Sequence, residues 1–208
     1  PATMIGASAT SLSGLGSRPL RLVALAPIIV AGVRSVTVHW PWHFAGTEFL
    51  PFTQEGPLAA LAAAGALGAI AALQRGALAD RSAFDKVVGK VAAVTAVFAA
   101  TAVTSAELSI WADTHAGEDL FRLGAAAPWL ASSLVLFAVD RRRPSGTVFG
   151  AGLGMISVAL TLGVTGYLGY QGQPELPFAN GRFAPATLAA VCLILMTNRA
   201  AAREDGDG

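Results

Sequence analysis

The sequence predicts an all-α fold: a polytopic integral membrane helical bundle of about six transmembrane helices, or five if the first apolar run is interfacial. Three observations point there. Of 208 residues, 54% are hydrophobic and 13% are charged, and the mean hydropathy is +0.58. A soluble domain usually carries about 25% charged residues, so this chain has too little polar surface to face water. The apolar residues also fall in continuous runs of the length that crosses a bilayer, about 20 residues. Finally, the ten-residue alternation of a membrane barrel is missing, which leaves helices as the only backbone that satisfies its own polar groups in lipid.

The predicted spans run in order along the chain. The first covers residues 19–38 and is the weakest, with Pro27 inside it and Arg34 near its end. Arg18 and Arg21 ahead of this run resemble the charged start of a signal peptide. No small-residue cleavage site follows, so the run is read as a span. The second span covers residues 57–73, an almost pure Ala/Leu/Gly run. The third covers 87–108, with Glu107 at its end, the fourth 120–139 and the fifth 148–170. The sixth covers 184–198, with Pro185 in its first turn, where a missing N–H costs nothing. Residues 1–18 form an N-terminal segment, 19–198 the bundle, and 199–208 a flexible tail.

Basic residues assign the two sides. Eleven of the 14 lysines and arginines fall at one set of span ends: around the start of the first span, after the sixth, or in and beside alternate loops between them. Arg75, Arg81 and Lys86 lie in one such loop, with Lys90 in the first turn of the span that follows, and Arg141, Arg142 and Arg143 lie in another. The positive-inside rule makes that side cytoplasmic, with both termini on it. The expected location is a bacterial inner membrane or an organelle membrane. Net charge is only +1, so nucleic acid is excluded as a partner class. The single cysteine, Cys192, forbids any disulfide within one chain.

The other side has a different chemistry. Outer loops are expected at 39–56, 109–119 and 171–183, and they hold all three histidines and half of the aromatics, with Tyr167 and Tyr170 just ahead of the last loop. Trp40, Trp42, Trp111, Tyr167 and Tyr170 are the candidates for an aromatic platform over a quinone, pigment or lipid tail, since small-ligand sites are mostly apolar and aromatic. His39 and His43, at i and i+4, share a face if their segment is helical. With His115 and Asp113 they form the candidate metal or haem site, open to water as a catalytic metal centre requires. The competing reading is that these amphipathic rings anchor the chain at headgroup level. In the acidic stretch ADTHAGED, Asp113 or Thr114 is expected to cap a helix starting near Ala116, with Glu118 and Asp119 at its positive end.

Two further patterns concern packing. Gly146, Gly150 and Gly154 lie at i, i+4 and i+8, the small-residue stripe that lets helix backbones approach closely. In ELPFANGRFAPA, Asn180, Gly181, Arg182 and Ala184 are similar to part of the E-x-x-N-G-R-x-A helix of chlorophyll-binding light-harvesting proteins. In that family the Glu and Arg pair across two helices, and Glu and Asn help hold chlorophyll. Here Pro177 stands in the place of the Glu and the motif occurs once, so no pigment site is carried over. Asn180-Gly181 reads as a turn.

No ionisable residue is expected at the centre of spans two to six. Such residues mark proton paths and counter-ions, so a proton-coupled transporter is disfavoured. The expected function is a non-catalytic integral subunit of a larger membrane complex of respiratory or photosynthetic type. Its partners are membrane lipids and other integral subunits, and an enzymatic role is the less favoured outcome. The alternatives are a membrane redox enzyme using the outer histidines, and a small-solute channel or carrier. No single cofactor is named: metal, haem, quinone and pigment all remain open.

Overall fold

A computed structural model of the chain describes residues 50–53, 55–76, 83–116, 118–168 and 187–194. Among these residues the regular structure is all α-helix. Helix α1 spans Glu55–Gly76, α2 Ala83–Ala116, α3 Glu118–Arg142 and α4 Gly146–Leu168. Residues 187–194 are also helical. Four of the helices carry an apolar stretch long enough to cross a membrane: Glu55–Ala72, Lys86–His115, Leu123–Arg142 and Gly146–Val164. They correspond to the second to fifth predicted spans. The first span lies outside the described residues, and of the sixth only residues 187–194 are described.

Large apolar side chains on these helices face outward, among them Val87, Val91, Leu134, Val135, Val139 and Val164. Water-soluble chains seldom leave so many exposed, whereas a lipid-facing surface requires them. The helices are thus compatible with an integral membrane protein.

The chain divides into two units, residues 1–103 and 104–208. In the first, α1 meets the early part of α2. Ala63, Ile70 and Ala71 of α1 and Ala92 of α2 are buried together, with Ala66, Leu67 and Ala93 packed against them. Alanine makes up most of this cluster, so contact is gained without bulky side chains. Ahead of α1, Phe52 adopts φ 61°, the left-handed region that a bulky residue rarely occupies.

In the second unit the end of α2 packs on the start of α3. The Ser105 hydroxyl donates to the Ala125 carbonyl at 2.5 Å. A Cβ placed on Gly124 would stand 2.6 Å from the Leu108 carbonyl oxygen. Glycine is required at this crossing because the neighbouring atoms are backbone. Pro128 lies inside α3. Its missing N–H takes the helical donor away from the Gly124 carbonyl. α3 and α4 then form a hairpin. Phe137 covers Gly152, where a Cβ would stand 2.5 Å from the ring, and meets Phe149 edge-on at 5.9 Å.

One sequence expectation changes here. Residues 109–116, expected as an outer loop, continue α2 to Ala116. No proline or glycine interrupts the run until Gly117, so nothing breaks the helix earlier. The glycine stripe of α4, expected to pack on a helix of this chain or of another, meets no neighbour here at two of its members: among the described residues a Cβ placed on Gly146 or Gly150 would have nothing within 4 Å, while Gly152, off the stripe, makes the tight contact.

Candidate functional site

The rim residues described in the structure lie on the last two turns of α2. Trp111 and His115 are four residues apart and share a helix face. Their rings stack with centroids 5.0 Å apart and planes at 25°. Both side chains are exposed. His115 Nδ1 lies 2.9 Å from the Trp111 carbonyl oxygen and 2.9 Å from the Thr114 hydroxyl. That hydroxyl itself donates to the Trp111 carbonyl at 2.9 Å. Both atoms beside Nδ1 therefore act as acceptors, so Nδ1 carries the hydrogen. Nε2 lies on the far edge of the exposed ring. A hydrogen-bonded Nδ1 that orients a free Nε2 is the arrangement that metal-binding histidines use.

Thr114 thus bonds back into α2 and does not cap a following helix. Asp113 is exposed, but two residues from both Trp111 and His115 it falls on the opposite side of the helix. The structure brings Trp111 and His115 together and leaves Asp113 apart. Tyr167 lies on the last turn of α4. His39, His43, Trp40, Trp42 and Tyr170 lie outside the described residues. Among the described residues no three His, Cys, Asp or Glu side chains converge as a metal-binding group.

Two buried carboxyl groups stand out that no motif in the sequence marks. Glu107 is 1% exposed. Its expected place is the end of a span, but α2 runs nine residues further, so it sits inside the helix. Ser105 and Ser109 point toward α3 or bond within α2, through Ala125 and Ala106 carbonyls respectively. Glu107, two residues from each, faces the other side with Val103, which is also buried. The sequence signal for this is the lack of any helix breaker between Glu107 and Gly117. The second carboxyl is Asp140, 4% exposed at the end of α3, whose Oδ1 accepts the Ser145 N–H at 2.7 Å.

The hydroxyls within these apolar helices are largely committed. Ser133 donates to the Leu130 carbonyl, Ser157 to Leu153 and Thr161 to Ser157, each within its own helix. Such back-bonding lets a hydroxyl reside in lipid without leaving a polar group unmet.

No protein-family model, curated protein or solved structure matches this chain.

Proposed function

We propose that the protein is a non-catalytic integral subunit of a larger membrane complex, its termini on the cytoplasmic side. The observation that carries this reading is the open face of α4. That helix uses Gly152 to seat Phe137 of its neighbour, while Gly146 and Gly150 meet nothing among the described residues. Ser157 and Thr161 continue the open side with hydroxyls already bonded to their own helix. A face of small residues without unmet polar groups is what a second helix needs to approach closely in lipid. Gentle extraction followed by native mass spectrometry tests the reading. The expected result is an assembly containing other subunits. A lone monomer with no partner in native pull-down refutes it.

A second reading rests on His115. Its oriented Nε2 at the exposed end of α2 favours a rim site for a transition metal, with redox chemistry there. The test is elemental analysis and an optical spectrum of the purified protein, repeated on His115→Ala. A metal-free, colourless wild-type preparation rules this reading out.

A further inference from the structure

We propose that the corner between α3 and α4 is a binding site for the headgroup of an anionic phospholipid. Arg141, Arg142 and Arg143 follow one another at the end of the Leu123–Arg142 stretch, and all three are exposed. The carboxylate next to them, Asp140, is buried and accepts the Ser145 N–H. It holds the corner from within. The backbone is pinned on both sides of the turn. The Arg143 N–H donates to the Val139 carbonyl at 2.9 Å, and the Phe149 N–H to the Ser145 carbonyl at 3.0 Å. Pro144 further restricts the link. Three exposed arginines are therefore presented from a corner whose neighbouring carboxylate is turned inward.

A second feature selects a lipid over a free anion. Directly below the arginines α3 exposes Leu134, Val135 and Val139, at 54%, 62% and 46%. Residues 131 and 138, both alanine, are exposed on the same part of the helix. From Arg142 back to Leu134 is eight residues, about 12 Å along the axis. That approaches the half-thickness of the hydrocarbon core, about 15 Å. Phosphate at the guanidinium groups and an acyl chain along the apolar track match the two ends of one phospholipid. Guanidinium is suited to the first because its planar fork binds phosphate oxygens in pairs.

The inference rests on the reading that α3 crosses a bilayer, and the experiment separates the two. Wild type, R141Q/R142Q/R143Q, R141K/R142K/R143K and K86Q/K90Q are reconstituted in phosphatidylcholine vesicles and floated. A wild type that does not float refutes the membrane reading. Native mass spectrometry from micelles holding equal phosphatidylglycerol and phosphatidylcholine then counts the retained lipids. The expected result is phosphatidylglycerol enriched on wild type, with about a fivefold loss of preference per arginine removed. The lysine variant folds under the same charge and keeps a weaker preference, and K86Q/K90Q behaves as wild type. The proposal is overturned if wild type shows no preference, if the glutamine variant keeps it, or if K86Q/K90Q loses it equally. Displacement of phosphatidylglycerol by an equal concentration of inorganic phosphate also overturns it, by making the site one for free anion.

Discussion

Replacing Gly124 with alanine tests the packing between α2 and α3 directly. The new Cβ would stand 2.6 Å from the Leu108 carbonyl oxygen, 3.0 Å from its carbon and 3.1 Å from Ser109 Cα. All three are backbone atoms, so no side chain can rotate away and one helix must move. Overpacking of this kind costs about 1–3 kcal/mol. Separation of the helices also stretches the 2.5 Å bond from Ser105 to the Ala125 carbonyl, worth about 1 kcal/mol. Against this, alanine is the better helix former by about 1 kcal/mol. The net expectation is a loss of about 1–3 kcal/mol. Gly65 and Gly68 of α1 supply the control, because a Cβ there has nothing within 4 Å. Alanine at either should be neutral or stabilise by up to about 1 kcal/mol. Gly152→Ala falls between, since the obstructing atoms belong to the Phe137 ring, which can turn at the expense of its contact with Phe149. The assay is reversible unfolding of the purified variants in mild detergent. Gly124→Ala as stable as wild type would refute the close crossing. So would Gly65→Ala as unstable as Gly124→Ala, because the sign would then follow residue type and not location.

Three other predictions use the same preparations. Glu107→Ala should lower stability by about 1–3 kcal/mol, because removing a buried carboxyl strands the groups bonded to it, while Glu107→Gln should lose less; equal losses would show that only volume matters. Asp140→Ala should cost about 1 kcal/mol or more by leaving the Ser145 N–H without its acceptor, read as a lower unfolding midpoint, and Asp140→Asn should recover part of it. In a Cys192→Ser background, cysteines introduced at Asp113, five residues ahead of α3, and at Arg142, its last residue, should react with an impermeant maleimide from opposite sides of sealed vesicles, since the Leu123–Arg142 apolar stretch of about 30 Å lies between them; labelling of both from one side would exclude a crossing by α3.

Helix type and approximate span positions were legible from composition and run length, because the bilayer imposes a length and a hydrogen-bonding rule that any spanning sequence must obey. α1, α3 and α4 accordingly coincide with the second, fourth and fifth predicted spans to within a few residues. The end of α2 departs from expectation because Trp111, Asp113 and His115 are polar or amphipathic. Hydropathy registers where a chain leaves lipid, whereas a helix ends where a breaker stands, here Gly117. That difference moves Glu107 from a span end into a buried position and turns the expected loop into a helical face that stacks Trp111 on His115.

What remained for tertiary structure was the choice among equivalent residues. Many glycines look alike in this Ala/Gly-rich sequence, and the periodic ones, Gly146 and Gly150, are open, while Gly124 and Gly152 carry the contacts. Helical period reports which residues share a face. Which face meets a neighbour depends on where the next helix lies, and that is decided by contacts between residues distant in the chain. The same holds for Asp140: its charge is plain in the sequence, but only the α3–α4 turn directs it inward to Ser145 and leaves three arginines facing out.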